Sequence, residues 1–411
     1  MSETPVILYL AAQLPKRSET FVSSEILALR ALGRRVLVAS VHPPERSLGS
    51  PLLEALADEA IPVYGLGVAR NLSLAVAEGL GHPLNTFHNG WKIVRDLFGT
   101  SERKGATSLK VAWQWIAGIA LARRLRAKKV THIHAHMAHV PSTIALVAAR
   151  QLHIPFSFTG HAADLFRDRS LLEAKLKSAV FVACISHWHR GFFSKIASNS
   201  STHYPLIRCG VDTSLFTASK RPSSKQRILA IGRLVPKKGF DLLLNACAVL
   251  RRKGYPIDAV IGGDGPEYEH LLSLRSKLGL EKEVVFPGAL SHAQVRTELS
   301  EAAVFALPCR VDPKGDQDGI PVALMEAMSA GVPCISGDLP PIRELILHNQ
   351  TGLLVPPGNI EALQLALEKL LLDEPLRLKL AANARELIET EFSAATNIPR
   401  LLTQFDRSFA I

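Results

Sequence analysis

The chain begins with "PVILYLA" (5–11), a nearly unbroken apolar run of the length of a strand buried on both faces. "ETFVSSEILALRALG" follows with apolar positions at helical spacing and stops at Gly33. "RRVLVASV" then returns to a strand pattern. The same rhythm places strands in "KVTHIHAHMA", "PFSFTG" and "AVFVACIS", with helical patterns in "TIALVAARQLH" and "LLEAKLKS" between them. Strand, helix and strand in this alternation predict a parallel sheet covered by helices on both faces.

The second half repeats it. "RILAIGRL", "IDAVIGG", "EVVFPG", "AVFALPC" and "PCISG" read as strands, and "GFDLLLNACAVLRRKG", "YEHLLSLRSKLGL", "AQVRTELSEA" and "ALMEAMSAG" as helices. Gly254, Gly279 and Gly331 close three of these helices, where a left-handed residue ends the spiral. Between the halves "TASKRPSSKQ" (217–226) is polar and has no periodic apolar face. The expected fold class is α/β, with two doubly wound Rossmann-like domains facing a central cleft. They are an N-terminal domain of residues 1–216 and, after a linker of 217–226, a C-terminal domain of 227–395. A last helix, 396–411, is expected to pack back toward the N-terminal domain. Ligands of such sheets bind beyond the carboxyl ends of the strands.

One segment departs from the rhythm. Residues 85–128 hold three of the four tryptophans, Trp91, Trp113 and Trp115, among many basic residues. Aromatic and aliphatic groups beside Lys and Arg suit a helix lying in a membrane interface; a core helix with a basic solvated face is the other reading. Over its 411 residues the chain has 48 Lys and Arg against 37 Asp and Glu, a formal charge of +11. That surplus points to an anionic partner, a phosphorylated ligand or acidic lipid, since no nucleic-acid module accompanies it. Cys184, Cys209, Cys247, Cys309 and Cys334 are scattered singly without a CxxC pair, which argues against a disulfide framework or structural zinc and fits a reducing compartment. No stretch approaches the roughly 20 apolar residues of a membrane span, and no basic region precedes the first apolar run. The expected location is cytoplasmic, with peripheral attachment to the inner membrane face through 85–128.

The chemistry concentrates in the C-terminal half. In "AIGRLVPKKGFDLLL", Arg233 and Lys238 flank a turn between strand and helix, an anion trap lacking the glycines and Lys-Ser/Thr pair of a Walker loop. "IGGDGPEYEHL" supplies Gly262, Gly263 and Gly265, which leave room for a ligand near the backbone but do not complete a dinucleotide fingerprint. "DGIPVALMEAMSAGVP" places Asp318 before a helix start and Glu326 within the helix. Free amides at that start suit phosphate, and ionised carboxylates suit hydroxyls. A ligand with a diphosphate in the middle and hydroxyl-rich rings at both ends, a nucleotide-diphosphate sugar, answers all three.

At these residues the chain resembles the family-4 retaining glycosyltransferases of GT-B fold. "GRLVPKKG", "GGDGP" and the D-x7-E of 318–326 are similar to that family's signatures. "RSETFVSSEI", "HIHAHMAHVPSTIALVAARQLHIPFSFTGHAADLF" and "IRCGVD" resemble the branch that builds bacterial exopolysaccharide of the colanic-acid type. The resemblance implies that Arg233 and Lys238 hold the donor diphosphate, that Glu326 binds the ribose hydroxyls, and that Asp318 contacts a donor-sugar hydroxyl beside the backbone of Gly319 and Ile320. It further implies that Gly263 and Gly265 border the donor, that the backbone from Phe286 to Gly288 meets the base, and that His161 lies near the acceptor and the reacting carbon. His161, Asp318, Arg233 and Lys238 are thus the catalytic candidates. Where the family has glutamate this chain has Asp318, and where many members have glycine it has Pro321; "QLPKRSET" replaces a glycine-rich loop, making Lys16, Ser18 and Glu19 candidates for the cleft wall.

The resemblance implies transfer of a sugar from a nucleotide-diphosphate sugar to a glycan or lipid-linked acceptor, with retention and without a metal, in surface polysaccharide biosynthesis; no cofactor beyond the donor is expected. Asp312 and Asp316 read as solvated loop residues. His132, His134 and His136 share one strand face, followed by His139, a spacing open to a metal but equally that of polar core groups. A sugar-nucleotide epimerase of similar fold and a non-catalytic sugar-nucleotide binder are the alternative functions.

Overall fold

A computed structural model describes residues 5–46, 48–98, 105–161, 169–216 and 226–409, with only the backbone described at Ser18 and at 105–107. The linker expected at 217–226 falls outside these residues except for Gln226, and so do residues 162–166 of "GHAADLF". The chain divides into two compact units, Met1–Arg208 with Ile398–Ile411, and Cys209–Asn397. Val211 and Phe216 already belong to the core of the second.

The first unit is built on six parallel strands, β1 (Val6–Ala11), β2 (Arg35–Ser40), β3 (Ile61–Pro62), β4 (His132–His136), β5 (Phe156–Gly160) and β6 (Phe181–Cys184). They lie in the order β3-β2-β1-β4-β5-β6. Every residue of β1, β4, β5 and β6 is buried, the pattern of strands covered on both faces. The second unit repeats the topology with β7 (Arg227–Ile231), β8 (Asp258–Gly262), β9 (Val284–Val285), β10 (Val304–Leu307), β11 (Cys334–Gly337) and β12 (Leu353–Val355). Their order is β12-β11-β10-β7-β8-β9. Strand order reverses direction between β1 and β4 in one unit and between β7 and β10 in the other. The loops after those strands therefore diverge to opposite faces and open a crevice in each unit.

The tryptophan-rich segment resolves into parts of two helices, Pro83–Phe98 and Gly105–Leu125. The second is a core helix: Val111, Ala117, Ile119, Ala120 and Ala122 are fully buried, and it packs on Val140–Leu152 so closely that a Cβ on Gly118 would come within 2.6 Å of Val147. Trp113 and Trp115 are half-buried, Trp113 against Tyr64 with ring centroids 5.7 Å apart and Trp115 beneath Gly90. Trp91 alone of the three stands on the surface. The expectation that 85–128 forms one interfacial segment is corrected accordingly. Among the described residues no helix is long and apolar enough to cross a membrane.

Candidate functional site

Beyond β7 the chain turns through Gly232 and Arg233 into a short helical turn, Pro236–Lys238, and then Gly239, whose φ of 70° starts the helix Phe240–Arg252. A Cβ on Gly239 would lie 2.2 Å from the carbonyl oxygen of Pro308, so this turn is pressed against the loop after β10. That contact carries Lys238 to the residues following β10. Its Nζ lies 2.9 Å from Asp318 Oδ2. Lys237 Nζ is 3.4 Å from Asp318 Oδ1 and 3.3 Å from Asp316 Oδ1. The Cys309 thiol donates to Asp318 Oδ2 at 3.4 Å.

Asp316 is buried and ion-paired rather than solvated, which corrects its reading as a surface loop residue. Asp312 organises the loop, accepting from the amides of Lys314 and Asp316 at 2.8 and 2.9 Å. Burial by itself would raise the Asp318 carboxyl, but the charges of Lys238 and Lys237 outweigh it and hold it below the usual range. Burial would likewise lower Lys238, and the Asp318 carboxylate reverses the direction. Both groups are therefore charged at neutral pH. Arg233, on the same turn, is exposed, and its guanidinium has no hydrogen-bond or ion-pair partner among the described residues.

Gly263 and Gly265, after β8, have φ of 144° and 157°. A Cβ on Gly263 would sit 1.9 Å from the Gly232 oxygen, and one on Gly265 would sit 2.4 Å from the Leu234 oxygen. What these glycines admit is the backbone of the Arg233 turn. The loops are joined by hydrogen bonds from Gly232 N to Gly262 O (3.0 Å), Leu234 N to Asp264 O (2.9 Å) and Gly263 N to Gly288 O (2.8 Å). Phe286 is half-buried, its ring edge-on to Tyr268 and 5.7 Å from the Arg275 guanidinium.

The helix Val322–Ser329 begins with Pro321 as its N-cap. The amides of Gly319, Ile320, Val322 and Ala323 have no acceptor among the described residues, so four free donors follow the buried Asp318 in the chain. One turn further in, the Glu326 carboxyl has no hydrogen-bond partner among the described residues. Burial pushes its carboxyl up to about 7. Exposed cation, paired cation, free amides and unpartnered carboxyl thus follow β7 and β10, at the switch point of the sheet. Lys237, Cys309 and Asp316 were missed from sequence, although the Lys237-Lys238 doublet was a visible signal.

In the other unit His161 follows β5 and is buried. Its Nε2 is 3.1 Å from His136 Nδ1, and His136 Nε2 is 3.1 Å from Glu25 Oε1, which also accepts the Tyr9 hydroxyl at 2.6 Å. Ligand atoms of Glu25, His134 and His136 lie within 4.8 Å of one another. The ring nitrogens are engaged internally: His134 meets Ser157 Oγ at 2.7 Å and Thr159 Oγ1 at 3.1 Å, and His132 meets Ser157 Oγ at 2.6 Å and Ser408 Oγ at 3.0 Å. Burial lowers His132 to about 3 and His134 well below its ordinary value, so both are neutral polar groups of the sheet. Lys16 is ion-paired to Glu19.

Residues 212–387, which hold every one of the C-terminal candidates, match the family described as glycosyl transferases group 1. This stretch is a group 1 glycosyltransferase domain. The amylovoran biosynthesis glycosyltransferase AmsK of Erwinia amylovora is 36% identical over 190 residues, 46% of this chain and 47% of that protein. The putative colanic acid biosynthesis glycosyltransferase WcaL of Escherichia coli is 35% identical over 191 residues, again 46% and 47%. The chain thus spans about half the length of the curated relatives it matches. The structure of Anabaena HepE, determined in complex with UDP and glucose, superposes over 98% of this chain and 100% of its own, with a TM-score of 0.71 at 18% identity. The two six-stranded units have the GT-B fold. Within the group 1 domain the charged pair, the exposed arginine and the free amides all lie in the loops after β7 and β10, whereas Tyr9, Glu25, His136 and His161 lie outside the matched stretch.

Proposed function

We propose that the protein transfers a sugar from a nucleotide-diphosphate sugar to a glycan or lipid-linked acceptor, with retention of anomeric configuration and without a catalytic metal, in surface polysaccharide biosynthesis. What supports the reading is that Arg233 and Lys238 follow β7 while the unpaired amides of Gly319, Ile320, Val322 and Ala323 follow β10, the two strands that flank the switch point of the sheet. Diphosphate departure leaves negative charge on oxygen, and preorganised cations and amides stabilise that charge more than they stabilise the intact donor. Arg233 supplies a planar fork for the diphosphate. Lys238 reaches it from a position held by Asp318, whose carboxylate has lone pairs left for a donor-sugar hydroxyl. Glu326 accepts from the ribose hydroxyls, Gly319 and Ile320 lie along the sugar, and Gly263, Gly265, Phe286 and Gly288 border the nucleoside. His161 serves the acceptor. Same-face attack, with the departing phosphate taking the acceptor's proton, accounts for retention without a nucleophile. Attachment to the inner face of the cytoplasmic membrane fits a lipid-linked acceptor. HepE's complex with UDP and glucose supports UDP-glucose as the first donor to try.

The experiment is a thermal-shift screen of the purified chain against UDP- and GDP-sugars, followed by transfer assays with the donor that stabilises. One donor raises the melting temperature, Arg233→Ala removes that shift and turnover together, and proton NMR of the product shows the donor's own anomeric configuration. Donor turnover without any acceptor, or an inverted product, would overturn the reading.

A further inference from the structure

A cavity of about 520 Å³ opens in the first unit at the amino ends of β5 and β6. The helix Pro83–Phe98, the end of Val140–Leu152, residues 154–156 leading into β5, and Ser178 and Val180 ahead of β6 line it. Its size falls in the range of small-molecule sites, roughly 300–1,000 Å³. His161 follows the carboxyl end of the same β5. The five residues of that strand, roughly 16 Å at about 3.3 Å each, therefore separate the cavity from the end of the sheet where substrates of such folds bind.

The lining is basic. Asn85, His88, Asn89 and Lys92 recur at intervals of three and four, so they share one face of Pro83–Phe98. Arg150 and His153 come from the last turn of Val140–Leu152 and the residue that caps it. No acidic side chain is among the residues lining the cavity. The half-buried Lys92 has no hydrogen-bond or ion-pair partner for its ammonium among the described residues. Arg150 donates through Nη2 to Asp96 Oδ2 at 3.0 Å and to Ser178 Oγ at 2.9 Å, which fixes its guanidinium. Its Nη1 is buried and has no partner among the described residues. Asp96 gives its other oxygen to Arg95, at 3.1 Å, so one carboxylate is divided between two arginines. The carboxyl end of Val140–Leu152 opposes an anion, but only with roughly half an elementary charge against two fixed cations and two histidines. Asn89 donates to the Val147 carbonyl at 2.9 Å and keeps a buried Oδ1 without a partner among the described residues. Unpaired cationic donors suit an anion, and an unpaired amide oxygen suits a hydroxyl. Leu146, Ile154 and Phe156 add apolar surface for a carbon skeleton.

We propose that this cavity is a second ligand site, which takes a small hydroxyl-bearing phosphate monoester between Lys92 and Arg150. Such an ester carries about −1.5 to −2 charges at neutral pH, which two cations balance. Its hydroxyls meet Asn85, Asn89 and Ser178. A molecule held there joins Pro83–Phe98 to Val140–Leu152 and to the entry of β6, away from the reacting end of the sheet, so it stiffens the first unit and is not consumed. The inference goes beyond the glycosyltransferase reading and does not depend on it, because the site needs neither donor nor acceptor.

Calorimetric titration of the full chain with glucose 6-phosphate tests it, alongside glucose, inorganic phosphate and vesicles containing phosphatidic acid. The titrations use the Arg233→Ala background, so that the crevice of the second unit does not contribute. Glucose 6-phosphate binds at one site, and the binding weakens as salt rises. It protects Lys92 from acetylation by acetic anhydride, read by peptide mass spectrometry. Inorganic phosphate binds more weakly, and glucose does not bind. Lys92→Ala, alone or with His153→Ala, lowers the affinity for glucose 6-phosphate by about tenfold or more. In the wild-type background the same changes leave the melting temperature unaltered, as they do its rise with whichever nucleotide sugar stabilises the parent. Absence of saturable binding, equal binding of glucose, or affinity unchanged by the Lys92 and His153 substitutions would overturn the proposal. So would binding to phosphatidic acid vesicles without binding of the soluble ester. If no nucleotide sugar stabilises the wild-type chain while these titrations behave as stated, the second site stands and the transferase reading falls.

Discussion

Lys238 Nζ lies 2.9 Å from Oδ2 of Asp318, although the two residues stand in loops that follow different strands, β7 and β10. The pair is shared, because Lys237 and Cys309 contact the same carboxylate. It fixes the ammonium in the crevice of the second unit before any ligand arrives, and it ties the two loops together.

Asp318→Asn leaves the buried Lys238 charge without its counter-ion and is expected to cost about 3 kcal/mol in urea unfolding. Lys238→Met combined with Asp318→Leu removes both charges and recovers most of that stability, but not donor binding, which separates the pair's structural from its functional share. The pH dependence has two ends. The lowered Asp318 carboxyl contributes stability above its unfolded value and loses it as pH falls through its depressed folded value. The raised Lys238 contributes below its unfolded value and loses it as pH rises through its elevated folded value. The parent's own stability therefore does not change through this pair from about pH 5 to 9, whereas in Asp318→Asn the buried Lys238, without its counter-ion, is lowered and releases its proton earlier, so the difference shrinks as pH rises toward 9. A difference that widened toward pH 9 would mean the pair is not formed as described.

Two glycines only a few ångströms apart differ sharply in what they tolerate. Gly263→Ala would place its Cβ 1.9 Å from the Gly232 oxygen at a φ of 144°. It is expected to cost about 2 kcal/mol or more and to shift the Arg233 turn, lowering donor affinity. Gly232→Ala meets only the Lys238 and Phe240 side chains, at 3.6 Å or beyond. It should change stability by less than about 0.5 kcal/mol. Paired urea melts and donor titrations check the contrast; equal losses would show that the close approach of the two loops is not what the glycines serve.

In the first unit Glu25 Oε1 serves two buried donors, the Tyr9 hydroxyl and His136 Nε2. Glu25→Ala strands both and is expected to cost about 2 kcal/mol. It should also change the His136 ring-nitrogen shifts in nitrogen-15 NMR, because the carboxylate selects the tautomer that offers Nδ1 to His161. Glu25→Gln keeps an acceptor and should lose less. Unaltered His136 shifts in the alanine variant would rule out that selection.

The alternation of strands and helices, the doubly wound fold class and the Arg233 and Lys238 turn were legible because they rest on short-range signals: buried apolar runs, glycine punctuation and cations at a strand end, whereas the strand order was not. The glycines at 254, 279 and 331 have φ of 85°, 65° and 77°, as their positions after helices required. Contacts between distant loops were not legible. The sequence singles out Asp318 but not its pairing with Lys238, which needs β10 placed beside β7, and Asp316 reads as solvated until Lys237 reaches it. Glu25 sits in a helix a hundred residues before His136 and carries no local mark. Trp113 and Trp115 misled for the opposite reason: composition shows aromatic and basic residues together but not which side of a helix faces the core. The resemblance to the family-4 retaining glycosyltransferases extended the sequence reading to roles for single residues, and those roles rest on chemistry that the predictions test.

Glu326 provides the sharpest pH test, because burial moves its carboxyl from 4.5 to about 7 without a partner among the described residues. Between those values the folded chain holds a proton that the unfolded chain has released. The stability associated with this group is therefore complete below about pH 4.5 and is lost as pH rises through 7. Glu326→Gln, which cannot ionise, should match the parent near pH 4.5 and exceed it by about 2 to 3 kcal/mol at pH 8. Donor binding runs the other way. Ribose hydroxyls donate to the ionised carboxylate, so binding near pH 6.5 expels a proton, and affinity climbs from about pH 5 to 8 before levelling. Calorimetry in two buffers of different ionisation heat measures the proton directly. In Glu326→Gln the release disappears and affinity becomes independent of pH in this range, so the variant is more stable and binds more weakly at pH 8. A parent protein that binds donor without proton release near pH 6.5 would remove Glu326 from the nucleotide site, whatever its effect on stability.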